Sequence, residues 1–398
     1  MKSIYLPIIF LLSLSYLTAK GQNPIVQNIL NDVNIDSLTF FVKQLSGEEQ
    51  VVIAGVPDTI HTRQSDQPGN EKAFQFLKAK LGGYGLTVDS FQFNATGKNL
   101  LGIHEGSVYP NQKYILGAHY DNVGTGIAPG ADDNASGSAA VVEAARIFAD
   151  HSFPFTIVFA LWDQEEQGLI GSRAYAEWTA TNNDTILGYI NMDMLGWDGN
   201  NDSIADLHVR SVANSMELAE RAIAINSTYS IGLGLNVVNP GSGNTDHAPF
   251  WENGFSAIGI NEQYQDDFNP FWHSAADSLG HFNLPFYEKC AKLAFATLAD
   301  RALGDSLFLS MVQINPMRDD IIIYPNPGTD QITIEYDAAN ASNYTIEISS
   351  LNGQVLLTVP TISTSSSRVN VADLSKGIYL IRIIQENATS YYGKWVKL

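Results

Sequence analysis

Three segments in the first 200 residues are apolar at consecutive rather than alternating positions: Tyr114-Ile-Leu-Gly-Ala118, Phe155-Thr-Ile-Val-Phe-Ala-Leu-Trp162 and Ile186-Leu-Gly-Tyr-Ile-Asn-Met192. A strand of this kind has no face to offer water, so it belongs in a sheet covered by helices on both sides. Helical spacing around these runs supplies the covers. Glu71–Leu81 is amphipathic and stops at Gly82-Gly83, Ala135–Ala149 is rich in small residues that permit close packing, and apolar residues recur three and four apart around Cys290. Ser256–Ile260 reads as a further strand. The pattern predicts an α/β domain over residues 22–305, with a mixed, mostly parallel sheet between helices.

Past this domain the periodicity changes. Ile321–Tyr324, Gln331–Tyr336, Tyr344–Ser349, Val369–Val371 and Gly377–Ile384 alternate with period two, and turn signals such as Asn352-Gly353 fall between them. This predicts a small all-β sandwich of about seven strands over 319–398, joined by a linker at 306–318. At the other end, Lys2 precedes an apolar stretch from Ile4 to Leu17, and Ala19 and Gly21 supply small residues at cleavage spacing. Residues 1–21 read as a signal peptide. The stretch contains Pro7 and is shorter than the roughly 20 apolar residues of a membrane span, so no stable membrane insertion is expected.

Composition narrows the function classes. Asp and Glu outnumber Lys and Arg 42 to 22, for a net charge of −20. Such a field repels phosphate backbones and argues against nucleic-acid partners. The single cysteine, Cys290, excludes an intrachain disulfide and a cysteine-built metal site; its helical context predicts a buried thiol.

Chemistry-bearing residues collect just after the predicted strands, where open α/β sheets place their sites. They are His119-Tyr-Asp121, Asp132-Asp133, Glu165-Glu166, Asp193 and His273. Asp121 is spaced to hold the imidazole of His119 toward a metal. Asp132 and Asp133 repel each other unless a cation lies between them, and Asn134 alone suffices to cap the following helix, which leaves Asp132 for a metal. Glu165 and Glu166 point in different directions, so one can bind metal while the other faces an attacking water. Asp193 interrupts a buried run, where an unpaired charge is costly. Imidazole and carboxylate ligands without thiolate fit Zn2+.

These motifs, together with Arg63-Gln-Ser-Asp-Gln-Pro-Gly-Asn-Glu-Lys-Ala73, Asn99-Leu-Leu-Gly102 and His273-Ser-Ala-Ala-Asp277, make residues 60–300 resemble the secreted di-zinc aminopeptidases of the bacterial leucyl aminopeptidase family. The fold of that family is phosphorylase/hydrolase-like and also hosts glutaminyl cyclases. The resemblance implies two zinc ions, with His119 and Asp193 on one, Glu166 and His273 on the other, and Asp132 bridging. It further implies Glu165 as general base, Asp121 as the partner of His119, a cis bond at Asp132-Asp133 that gives Asp133 a supporting place, and Asp277 as a structural support. Ser242 stands where some relatives carry a tyrosine that steadies the developing oxyanion, which leaves Tyr264 or the metal for that task. The activity implied is hydrolysis of the first peptide bond of peptides with a free N-terminus. The alternatives are a single-zinc glutaminyl cyclase and an inactive binding module on the same fold. In the tail, Tyr324-Pro-Asn-Pro327, Leu351-Asn-Gly353, Leu374-Ser-Lys-Gly-Ile-Tyr379 and Lys394-Trp-Val-Lys-Leu398 resemble the C-terminal sorting domain of type IX secretion. That resemblance implies the secretion machinery as a partner and a secreted or cell-surface destination.

Overall fold

The computed structural model describes residues 22–124, 128–304, 321–336, 343–350, 355–362, 366–385 and 391–397; the expected signal peptide and linker lie outside these. The chain divides into two compact units at Leu303/Gly304. In the first, the elements run α1 (Pro24–Asp32), α2 (Ile35–Ser46), β1 (Val51–Ile53), β2 (Val56–Asp58), α3 (Pro68–Gly83), β3 (Thr87–Gln92), β4 (Lys98–His104) and β5 (Tyr109–His119). They continue with α4 (Gly137–Phe148), β6 (Phe155–Trp162), α5 (Ile170–Thr181), β7 (Thr185–Met192), β8 (Ile204–His208), α6 (Ser215–Thr228), β9 (Gly234–Val238), α7 (His247–Glu252), β10 (Ala257–Asn261) and α8 (Leu284–Leu303).

Eight strands form one sheet in the order β3-β4-β6-β5-β7-β10-β8-β9. The central four, β6, β5, β7 and β10, are mutually parallel, so their C-terminal ends open on one edge of the sheet. β4 and β8 flank them antiparallel. Alternation explains why the central runs are apolar throughout. Val158, Ala160 and Trp162 of β6 join the cluster built with Tyr175 of α5 and Phe250 of α7, whereas Phe159 meets Phe148 of α4, which stands edge-on to Phe295 of α8. The small residues of α4 also serve the packing: a Cβ at Gly137 would collide with the carbonyl of Met192 at the end of β7. Cys290 is a buried, free thiol in α8.

The N-terminal helices are part of the same core. Val26, Ile29, Leu38, Val42 and Leu45 are fully buried, and Ser37 donates to the buried carboxylate of Glu143 in α4 at 2.7 Å. Among the described residues, no helix is long and apolar enough to cross a membrane.

The second unit carries β11 (Ile321–Tyr324), β12 (Gln331–Tyr336), β13 (Asn343–Ser350), β14 (Val355–Ile362), β15 (Ser366–Asn370), β16 (Gly377–Gln385) and β17 (Tyr391–Lys397). They form a three-stranded sheet, β11-β12-β15, and a four-stranded sheet, β14-β13-β16-β17. Ile332, Ile334 and Val369 of the first share a core with Ile346, Ile348, Ile381, Ile383 and Trp395 of the second. Every pairing within the two sheets is antiparallel.

Candidate metal centre

The parallel strand ends deliver the site. His119 is the last residue of β5, Asp193 follows β7 directly, Glu165 and Glu166 lie in the turn between β6 and α5, and His273 comes from the long segment after β10. Their ligand atoms converge. His119 Nε2 lies 3.3 Å from Asp193 Oδ1 and 3.3 Å from Asp133 Oδ1, while His273 Nε2 lies 3.1 Å from Asp133 Oδ2 and 3.0 Å from Glu166 Oε2. Two triads, His119/Asp133/Asp193 and Asp133/Glu166/His273, therefore share one carboxylate through different oxygens, and each is tight enough to hold an ion. His119, Glu165 and Glu166 form a further such group, with Glu165 Oε2 at 4.0 Å from His119 Nε2.

Asp133, not Asp132, sits at the shared position, which corrects the assignment taken from the resemblance. Asp132 turns away into the protein, where it accepts from Gly196 N at 2.7 Å and Asn269 Nδ2 at 2.8 Å. The cis bond likewise lies one residue on, at Asp133-Asn134. The reason is the irregular backbone here: Asp133 (φ −103°, ψ 94°) and Asn134 (φ −132°, ψ 50°) leave helical geometry inside the turn Ala131–Ser136. Side-chain direction there follows the local dihedrals and not any regular period. The N-cap of α4 is Ser136, two residues after the expected Asn134, whose side chain nevertheless accepts from Gly137 N at 2.9 Å. Asp277 grips the turn by accepting from the backbone N–H of Asp132 (2.9 Å) and Asp133 (3.1 Å).

Asp121 supports His119 mainly through its main chain: its carbonyl oxygen is 3.2 Å from Nδ1, its carboxylate 3.6 Å. The carboxylate instead accepts from Glu165 N at 3.1 Å and Glu166 N at 3.3 Å. One residue thus fixes both the first imidazole and the two glutamates.

Buried negative charge dominates the electrostatics. Asp121, Asp132, Asp133, Asp193, Asp246, Glu262 and Asp277 are buried, and the side chains of Glu165 and Glu166 nearly so. Against them stand His119, His273 and the buried guanidinium of Arg63, which donates to the carbonyls of Leu45, Tyr120, Pro129 and Gly130. Burial pushes Glu165 well above the carboxylate range, and burial together with the charge of Asp133 takes Glu166 up to about 7. Burial pulls His273 down, but its bonds to Asp133 and Glu166 outweigh that and bring it to about 9. Glu166 Oε1 is buried without a hydrogen-bond partner. Carboxylates in this environment hold protons that cations would displace, so the donor set fits divalent metal.

Sequence reasoning gave no role to Asp246, which burial pushes up to about 7 beside His119 and Ser172, nor to Glu262, buried against Asp132. The signal for Glu262 was its place just after the predicted strand Ser256–Ile260; Asp246 follows no predicted strand and had none. His247 is fully buried beneath Thr245, with a ring nitrogen 2.8 Å from its hydroxyl. A cavity of about 530 Å³ opens over the cluster. Met194, Tyr264, Phe268 and Trp272 line it together with Gly168, Leu169, Arg173 and the loop Ser242–Thr245.

Residues 99–298 match Peptidase family M28. The chain belongs to that family. Residues 322–397 match the secretion system C-terminal sorting domain, which marks this M28 chain for type IX secretion to the cell surface or beyond. Over 135 residues the chain is 38% identical to a probable zinc metalloprotease of Pyrenophora tritici-repentis, a match covering 32% of this chain and 31% of that protein. The M28 chain thus matches about a third of the length of the curated relatives first aligned with it. In fold it is similar to the LapA aminopeptidase of Legionella pneumophila (TM-score 0.61, 22% identity, 70% of this chain and 74% of that one). It is also similar to the glutaminyl cyclase of Bacteroides thetaiotaomicron (TM-score 0.54, 17% identity, 67% and 98%).

Proposed function

We propose that the chain is an exported zinc aminopeptidase with two ions per chain and Glu165 as general base. The observation that carries this reading is the sharing of Asp133 between two ligand triads, with the carboxylate of Glu165 beside them and outside both. In this reading His119 and Asp193 would hold one ion and Glu166 and His273 the other, with the carboxylate of Asp133 within reach of both. Zinc so held supplies Lewis acidity toward the scissile carbonyl and makes water acidic enough to react near neutral pH.

The protein's own groups then do the following. Burial alone favours protonated Glu165 and the charge of His119 opposes this; as the carboxylate, which cations held beside it would also favour, Glu165 takes a proton from the attacking water and returns it to the leaving amine. The acidic floor attracts the free α-ammonium group of the substrate. Tyr264 accepts a hydrogen bond from Asn261 Nδ2 at 2.6 Å, which leaves its own proton to donate to the carbonyl oxygen as negative charge develops there. On this reading the phenol takes the role that the resemblance gives to a tyrosine at the position of Ser242.

The test is metal content together with amino-acid release from aminoacyl anilides, with and without chelator, for the wild type and Glu165→Gln. The expected result is two zinc ions per chain in both proteins, chelator-sensitive turnover in the wild type, and a loss of roughly 10³-fold in kcat in the variant. One zinc with cyclisation of N-terminal Gln would move the reading to a cyclase. A metal-free, inactive fold would move it to a binding module.

A further inference from the structure

The pocket above the acidic cluster contains one group of opposite character. Arg173, in the first turn of α5, lines the same cavity as His119, Asp133, Glu165 and Asp193. Its guanidinium is partly exposed and pairs through Nη1 with Glu252 at the end of α7, whose side chain is 46% exposed. A guanidinium has five donors in a planar fork. Glu252 engages one of its nitrogens, and the others meet no hydrogen-bond partner among the described residues.

Position gives this cation its meaning, on the aminopeptidase reading above. Glu165 must reach the nitrogen that departs, so the departing part of the substrate lies on the side of Glu165. The chain runs from Glu165 straight into α5, and Leu169 N and Gly168 N bond back to the carbonyl of Glu165 at 2.8 Å. Gly168, Leu169 and Arg173 therefore line the pocket on the base's side. The aromatic group is tied to the far ligand: Trp272 stacks on His273 with ring centroids 3.6 Å apart, and Phe268 meets Trp272 edge-on at 5.5 Å. A substrate held with its ammonium group at the acidic floor extends its leaving portion toward Arg173.

We propose that Arg173 forms a carboxylate-reading subsite for the leaving portion, so that the preferred substrates are short peptides carrying a carboxylate just beyond the scissile bond. That carboxylate is either the C-terminus of a dipeptide or an acidic second side chain. Glu252 occupies part of the fork and competes with it.

The experiment compares kcat/KM for Leu-Gly with Leu-Gly-amide, and for Leu-Asp-amide with Leu-Asn-amide, using the zinc-loaded full chain. The expected result is a preference of roughly tenfold for the charged member of one pair, weakened by salt. The favoured pair identifies the source of the carboxylate. Arg173→Gln should bring that ratio close to one, and Glu252→Gln should widen it. Equal rates within both pairs in the wild type, alongside active turnover of leucyl anilide, would overturn this inference and leave the aminopeptidase reading standing. Absence of turnover on every substrate would instead overturn that reading. If Arg173→Gln does not fold, the wild-type ratios and Glu252→Gln still decide, and an unchanged ratio in Glu252→Gln counts against the fork.

Discussion

The two units of this chain treat buried charge in opposite ways. The interior of the sandwich is built from Ile, Val, Tyr and Trp, and the buried charge among its described residues, Lys397, is answered within the fold by the carbonyls of Val371 and Ala372, each 2.6 Å from Nζ. The α/β unit buries a crowd of carboxylates that its own cations do not balance, and it collects them at the ends of four parallel strands. A satisfied buried charge belongs to structure; an unsatisfied group of them at a strand edge points to something that binds.

The sharpest way to break this comparison is to substitute the two adjacent aspartates separately. Asp133→Asn should lower zinc content and reduce kcat/KM by roughly 100-fold or more, whereas Asp132→Asn should keep its metal and lose about tenfold at most. Equal losses of metal would show that the direction of these side chains, and so the whole assignment of ligands, is wrong. Metal analysis by mass spectrometry beside anilide kinetics reads both.

A second test uses pH. In the chelated protein Glu166 titrates at about 7 against an ordinary value of 4.5. The folded state therefore keeps a proton that the unfolded chain releases, and the linked stability is full below about pH 4.5 and lost as pH rises through about 7. His273, raised from 6.5 to about 9, has the same sign. Thermal unfolding of the α/β unit should thus weaken from pH 5 to pH 8 without metal and regain stability when zinc is restored. A flat profile without metal would remove the argument from unbalanced charge.

The smallest expected effect is in the sandwich. Lys397→Met leaves two carbonyls without their donor and should cost about 1–3 kcal/mol there. Hydrogen exchange should report the loss within residues 321–397, with zinc content and turnover unchanged.

Much of the site was legible because strands carry their own bookkeeping. His119 and Asp193 stand at the ends of uniformly apolar runs, and a charge there has few explanations other than a site. Glu165 and Glu166 were legible for the same reason. The legibility failed one residue away, between Asp132 and Asp133, because an irregular turn has no period from which to read direction. It failed differently for Asp121, where the spacing was right but the atom was not: the carbonyl meets the imidazole while the carboxylate holds two backbone N–H groups. Arg173 was invisible for a third reason. A basic residue on an amphipathic helix reads as solvated, and only the fold places α5 at the mouth of the cavity. The α/β layers and the period-two tail were the most readable parts, since burial on two faces or on one sets their patterns directly.

Arg63 sets a limit on maturation. Its guanidinium ties the carbonyl of Leu45, one residue from the end of α2, to those of Tyr120, Pro129 and Gly130 beside the ligand-bearing turn. Loss of the few residues before α1 leaves that tie intact. A cut beyond Leu45 severs it and strips two helices from the core, so the shortest form of the α/β unit that keeps its core whole must begin before that carbonyl.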